Sequence, residues 1–210
     1  MRASAPHAAV LLAAGGSRRL GRAKQLLTRD GEALVHRSAR LLRDTAAAAL
    51  VVVLGADGDA VEATLADLAT SGDVRCVRND AWTAGLSGSL RRAGDALAGF
   101  EGRVLVATCD HPALDLAHLQ ALLALARAAP SGCAATRHEA HAGIPAVVPA
   151  AWLRAMPIDA GDRGLGDRLR ALPREALPVL DGGNASFDVD TPDDVAIAVA
   201  RGWLDPPAAS

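Results

Sequence analysis

The chain has 210 residues but no tyrosine, only two phenylalanines and three tryptophans. So thin an aromatic complement argues against a binding face built on stacked rings, and it leaves the core to Ala, Leu and Val. Cysteine is as sparse. Cys76, Cys109 and Cys133 lie far apart with no C-x-x-C spacing. They read as reduced core residues of a cytosolic protein rather than a disulfide or zinc framework. No apolar run approaches the roughly 18 residues that a membrane span requires. The run Ala8–Ala14 after Arg2 superficially resembles a secretory leader, but it is short and passes at once into Gly15-Gly16-Ser17-Arg18-Arg19 without a cleavage site. With a net charge of −2 there is no basic field for nucleic acid or an anionic membrane. The expectation is a soluble, cytoplasmic protein that binds neither.

Half of the residues are hydrophobic, enough for one domain over residues 1–210 with a sizeable core; the tail 205–210, with Pro206 and Pro207, is expected to fray. Short apolar runs alternate with helical spacing from end to end. The strand candidates are Ala8–Ala13, Leu50–Leu54, Val74–Val77, Val104–Thr108, Gly132–Thr136, Ala146–Val148 and Leu177–Leu180. Between them, helical periodicity links Leu34, Val35, Ala39 and Leu42, then Val61, Leu65 and Leu68, then Leu116, Leu119, Leu122 and Leu123, and finally Val195 and Val199. Such alternation predicts an α/β fold of parallel strands with helices on both faces. Ligands of such sheets bind where strands end and helices begin. Three strand exits therefore matter: Ala14–Lys24, Cys109–Pro112 and Asp188–Thr191.

The first exit reads Ala13-Ala14-Gly15-Gly16-Ser17-Arg18-Arg19-Leu20-Gly21-Arg22-Ala23-Lys24. Glycines let the backbone turn its N–H groups toward phosphate oxygens, and Arg19 and Lys24 add positive charge there. A Walker loop would need Gly-Lys-Ser/Thr, and the dinucleotide pattern G-x-G-x-x-G is absent. On spacing alone, a plain strand-to-helix turn with solvated basic residues fits equally well.

The stretch Leu12-Ala13-Ala14-Gly15-x-Ser17-x-Arg19-Leu20-Gly21-x-x-Lys24-Gln25-Leu26-Leu27 resembles the opening motif of the MobA/MocA-like nucleotidyltransferases, which attach a nucleotide to the molybdenum cofactor. The resemblance runs from Ala8 to about Ala200 and implies a Rossmann-like, three-layer α/β/α fold with a mostly parallel sheet. It also implies that Ala13, Ala14, Gly15, Gly16 and Ser17, with Arg19 and Lys24, hold a nucleoside triphosphate. Asp110, in Thr108-Cys109-Asp110-His111-Pro112, matches the family's metal-binding aspartate. The stretch Asp188-Val189-Asp190-Thr191-Pro192 resembles the element that completes the metal site, with Asp190 favoured over Asp188. The cofactor so implied is Mg²⁺, which takes one or two carboxylates plus phosphate oxygens. Thr191 followed by Pro192 and two aspartates also reads as an ordinary helix start.

Weaker signals are Ser87 and Ser89, which resemble the family's serines near the bound nucleotide but serve equally as helix caps. His138-Glu139-Ala140-His141 lacks the H-E-x-x-H spacing of a zinc site and falls in a turn between strands. Gly143-Ile144-Pro145 and Gly161-Asp162-Arg163-Gly164 resemble acceptor-side elements of the cytidylyl branch, although Leu165-Gly166 stands where that branch continues Ala-Arg. The expected reaction is Mg²⁺-dependent transfer of CMP from CTP to the phosphate of molybdopterin, with pyrophosphate released. CTP is favoured over GTP because Ala14 stands where the guanylyl branch has glycine. Guanylyl transfer, a sugar-phosphate or other small phosphate acceptor, and a nucleotide-binding regulatory module without turnover stay open. The resemblance further implies a transient contact with a molybdoenzyme or its chaperone.

Overall fold

The computed structural model describes residues 6–70, 74–139, 141–157, 161 and 164–207. The chain opens with strand β1 (His7–Ala13), the hairpin β2 (Thr28–Arg29) and β3 (Glu32–Ala33), and helix α1 (Leu34–Asp44). There follow β4 (Leu50–Leu54), α2 (Gly58–Ala63), α3 (Ala66–Thr70), β5 (Val74–Arg78), α4 (Leu86–Ala96), β6 (Arg103–Thr108) and α5 (Leu116–Ala128). The last part contains β7 (Ala134–His138), β8 (His141–Pro149), α6 (Ala150–Arg154), α7 (Gly164–Arg170), β9 (Val179–Asp181) and α8 (Pro192–Ala200).

Seven strands form one sheet in the order β5-β4-β1-β6-β8-β7-β9. All pairings are parallel except those of β8, which runs antiparallel to both β6 and β7. β1, β4 and β6 carry apolar residues at successive positions because helices cover both faces. Alternate residues of β1 divide between two cores. Ala9, Leu11 and Ala13 pack with Val35 and Leu42 of α1 and Leu119 and Leu122 of α5. Ala8, Val10 and Leu12 pack with Leu90 of α4, Leu153 of α6 and Leu165 of α7. This is the three-layer α/β/α arrangement, and each fully buried Leu stabilises it by about 1.5–3 kcal/mol.

The departures from the expected elements have local causes. The 177–180 run becomes a strand only from Val179, because Pro178 has no N–H to give a ladder. β7 begins at Ala134, after Gly132 has turned the chain at φ +70°. β8 reaches back to His141 across a bulge at Ala135/Thr136, through small and polar residues without a strand-like pattern. Val61, Leu65 and Leu68 are all buried, as their spacing implied. The helix is nonetheless broken: Val61 lies on α2, Leu68 on α3 and Leu65 in the turn between them, where the Thr64 hydroxyl donates to the Val61 carbonyl (2.7 Å). The β2–β3 hairpin turns on Asp30-Gly31, both at positive φ, an Asp-Gly signal of the kind such turns favour.

No helix among the described residues is long and apolar enough to cross a membrane. A third, smaller core joins Leu20, Leu34, Val189, Val195, Ala198 and Leu204. It fastens the first loop and α8 together at the edge where β1 and β6 end.

Candidate functional site

β1 and β6 are neighbours in parallel register, so the segments that follow them leave the sheet side by side. The chain after Phe187 is stitched to the same edge, because the Val189 N–H donates to the Asp110 carbonyl (3.0 Å). Three segments far apart in sequence therefore meet. Their charged side chains form one cluster: Lys24 Nζ lies 2.7 Å from Asp110 Oδ2 and 2.8 Å from Asp190 Oδ1, and Arg19 Nη2 lies 2.6 Å from Asp190 Oδ2.

These contacts are not equivalent. Arg19 is 69% exposed, so its pair with Asp190 is screened by water and contributes little. Lys24 and Asp110 are each only 15% exposed. Burial opposes the charge on Lys24, but the two carboxylates more than offset it and raise its pKa. Burial likewise opposes ionisation of Asp110, and Lys24 with the polar His111 and Thr108 outweighs it, holding the carboxyl well below the usual range. Among the described residues, Asp110 Oδ1 is buried without accepting a hydrogen bond. The His111 ring lies 3.3 Å away, but burial lowers its pKa and its Nδ1 also lies 3.1 Å from the Thr108 hydroxyl.

A cleft of about 200 Å³ opens beside this cluster, lined by Ala13, Ala14, Gly15, Lys24, Ser89 and Asp110 together with Gln25, Trp82, Gly85 and Leu86. Its loop wall is tightly determined. Ser17 takes a left-handed conformation (φ +47°), and its carbonyl accepts from the N–H groups of Leu20 and Gly21 (both 3.0 Å). The Ser17 hydroxyl accepts from the Lys24 N–H (3.1 Å). A Cβ on Gly16 would lie 2.5 Å from the Trp82 indole, so a larger residue there would force that ring to move.

The serine pair separates. Ser89 lines the cleft and accepts from the Asn79 amide (3.0 Å). Ser87 is buried with its N–H on the Gly161 carbonyl (2.9 Å), and neither caps α4, whose N-cap is Gly85. Asp188 stays exposed and away from Lys24, on a second, polar cavity of about 460 Å³ with His138 and His141. Asp190 leaves the line of Asp188 because its N–H bonds Asp194 (3.1 Å), part of the capping box that Thr191 opens. His138 Nε2 contacts the Ile144 carbonyl (2.5 Å) and its ring stacks on His141. Of the acceptor-side elements, Gly143 and Pro145 lie on β8, whereas Asp162 and Arg163 lie outside the described residues.

Two further residues stand at the cleft. Gln25 is 1% exposed and donates to the carbonyls of Ala13 (3.0 Å) and Gly15 (2.7 Å). Trp82 forms the opposite wall, with Arg18 5.6 Å above its ring. Gln25 sits inside the recognised motif, yet its buried state is a tertiary fact that spacing does not disclose.

The arrangement offers a cation-rich, glycine-lined turn beside two carboxylates, which suits a polyphosphate. A nicotine blue oxidoreductase from Paenarthrobacter nicotinovorans is 40% identical over 115 residues, 54% of this chain and 54% of that protein, so the match spans about half of each. A nucleotidyl transferase from Methanothermobacter thermautotroptrophicus superimposes with a TM-score of 0.75 at 24% identity, over 95% of this chain and 98% of the other. Rv0371c from Mycobacterium tuberculosis, in complex with manganese, gives 0.70 at 23% identity over 93% and 99% of the two chains. At such identities these two structures establish the fold. Residues 9–176 match the MobA-like NTP transferase domain, from the strand that carries the glycine turn to the segment before β9. The chain belongs to the MobA-like NTP transferase family.

Proposed function

We propose that this MobA-like nucleotidyltransferase moves CMP from CTP to the phosphate of molybdopterin. The observation that carries the reading is the Lys24 ammonium between the Asp110 and Asp190 carboxylates at the lip of the glycine turn. An acceptor phosphate oxygen bonds the α-phosphorus, the bond from that phosphorus to the oxygen bridging to the β-phosphate breaks, and pyrophosphate leaves with the electron pair. No protein nucleophile takes part. Positioning and neutralisation of charge supply the acceleration.

Asp110 and Asp190 are hard oxygen donors, and Asp110 Oδ1 is a buried acceptor without a hydrogen bond among the described residues. They fit a divalent ion such as Mg²⁺ that takes its other ligands from phosphate and water. When bound, that ion neutralises the triphosphate and polarises the reacting phosphorus. The manganese complex of Rv0371c favours a divalent ion at this fold. Lys24 and Arg19 stand where they can exchange carboxylate for phosphate oxygens, and the residues 13–17 present backbone to the same space. Ala14 favours the smaller base. Guanylyl transfer and other phosphate acceptors share every one of these steps.

The decisive experiment incubates the protein with Mg²⁺, each nucleoside triphosphate and molybdopterin or a sugar phosphate, and follows pyrophosphate. Release that needs both CTP and molybdopterin supports the reading. Turnover with GTP alone moves the chain to the guanylyl reaction. The 40% identical relative is named an oxidoreductase, which motivates a second reading. Oxidation or reduction of nicotine blue by the protein, with no pyrophosphate from any triphosphate, would favour it.

A further inference from the structure

We infer that Gln25 is a positioning residue that sets the polarity of the phosphate-binding turn by drawing two carbonyl groups inward. The inference rests on reading the turn at residues 13–17 as a triphosphate site. A glutamine side chain offers two N–H donors and one carbonyl acceptor. At Gln25 both donors are used, on the carbonyls of Ala13 (3.0 Å) and Gly15 (2.7 Å), and Oε1 receives the Ser17 hydroxyl at 3.4 Å. The residue is 1% exposed. A buried amide adds nothing to an apolar core that Leu or Met would not supply at lower desolvation cost. Its presence is explained by what it holds.

What it holds is the direction of two peptide planes. In a planar trans peptide the carbonyl of one residue and the N–H of the next point to opposite sides. Tying the Ala13 and Gly15 carbonyls to a buried partner therefore turns the N–H groups of Ala14 and Gly16 the other way, toward the open side of the turn, where Gly15 is exposed. Released, the same carbonyls could rotate outward and present lone pairs to a polyanion. The Ser17 hydroxyl extends the device, since it also accepts from the Lys24 N–H (3.1 Å) and so fixes the backbone of the lysine relative to the turn. One buried amide thereby orders both the backbone donors and the base of the cationic side chain. Both N–H groups of the Gln25 amide are on backbone carbonyls and not free for a ligand. It acts through the turn.

The test separates phosphate from base. Calorimetry on the full chain compares pyrophosphate, the triphosphate the wild-type protein binds, and the matching nucleoside, for wild type, Gln25→Met and Ser17→Ala. Gln25→Met keeps the shape and removes both donors. It is expected to weaken pyrophosphate and triphosphate by about tenfold or more, while nucleoside affinity stays within about twofold. Ser17→Ala removes the hydroxyl's contacts with Gln25 Oε1 and the Lys24 N–H at a part-exposed site, so it reports even if Gln25→Met does not fold, and it is expected to show the same pattern at about three- to tenfold. Wild-type pyrophosphate affinity in either folded variant overturns the inference. So does an equal loss for nucleoside and pyrophosphate, which marks Gln25 as core packing. If wild type binds neither pyrophosphate nor any triphosphate, the nucleotidyl-transfer reading itself has failed, which is a different result from a wild type that binds and variants that bind as well.

Discussion

Lys24→Met is expected to strengthen metal binding in the absence of nucleotide, although it removes a residue placed at the heart of the site. The ammonium stands 2.7 and 2.8 Å from the two carboxylates proposed to hold a divalent ion. A metal entering the free protein must displace this cation or share its acceptors with it. Unit charges 4 Å apart attract by about 4 kcal/mol at an effective dielectric near 20. Most of that is returned when the freed lysine is hydrated, so the net strength of such a charged contact is about 1.5–3 kcal/mol. Removing it should tighten the dissociation constant of Mn²⁺ roughly ten- to hundredfold. Methionine keeps the stem of the side chain and its packing. The two carboxylates, left without their shared lysine while only Asp190 keeps Arg19, should lower the melting temperature of the metal-free variant, and saturating Mn²⁺ should restore it by mass action. Free Mn²⁺ measured by electron paramagnetic resonance, beside thermal melts with and without the ion, reads both effects. Triphosphate affinity should fall in the same variant. Mn²⁺ affinity that is unchanged or weaker in a folded Lys24→Met protein would refute the competition between lysine and metal.

The other predictions concern single groups. Asp110→Asn should reduce metal-dependent pyrophosphate release by orders of magnitude. It should cost stability only on the order of 1–3 kcal/mol, because Lys24 keeps Asp190; turnover near wild type would remove Asp110 from the site. Arg40 grips Glu32 through Nε (2.9 Å) and Nη2 (2.7 Å) and, with His36 (2.6 Å), holds its pKa down to about 2 from 4.5. The depressed value makes its contribution complete above pH 4.5 and lost as pH falls toward 2, and after discounting for solvent Glu32→Gln should cost about 1 kcal/mol at pH 7 by denaturant melts but nothing at pH 2. Competition kinetics should give CTP a kcat/KM advantage over GTP of roughly 10–200-fold that shrinks in Ala14→Gly. Equal efficiencies in the unmutated protein would end the cytidylyl assignment.

The parts of the fold that could be read from residue order were those whose burial is set by the strand itself. Leu50–Leu54 is apolar at every position because helices cover both faces, and it is a strand over that whole span. β8 was seen only in part because its first residues, His141, Ala142 and Gly143, lie at a partly exposed hairpin where no apolar pattern is required. Its reversed direction is likewise absent from a local pattern, since an apolar run reads the same for parallel and antiparallel neighbours. The Val61–Leu68 region showed the correct buried side chains and concealed the break between α2 and α3, because periodicity records which face is inward and not whether the backbone bonds continue.

The site was legible as three separate strand exits and illegible as a charge network. Spacing alone left the first loop balanced between an anion cradle and an ordinary turn, and only the resemblance favoured Asp190 over Asp188. What distinguishes the two aspartates is the turn between them. Asp194 draws in the N–H groups of both Asp190 and Thr191 (3.1 and 2.8 Å), which bends the chain so that Asp190 meets Lys24 while Asp188 remains exposed on the neighbouring cavity. The capping residues are thus more than a helix start. Their hydrogen bonds decide which carboxylate faces the lysine, and the anchor that makes the choice possible is the Val189 N–H on the Asp110 carbonyl. Val189 itself is fully buried, so the segment cannot slide by one residue to exchange Asp188 for Asp190 without placing a carboxylate in the apolar cluster that holds Leu20 and Leu34. The selection of Asp190 is therefore a packing constraint expressed as electrostatics, and it lies beyond the reach of any motif in which the two aspartates differ only by position.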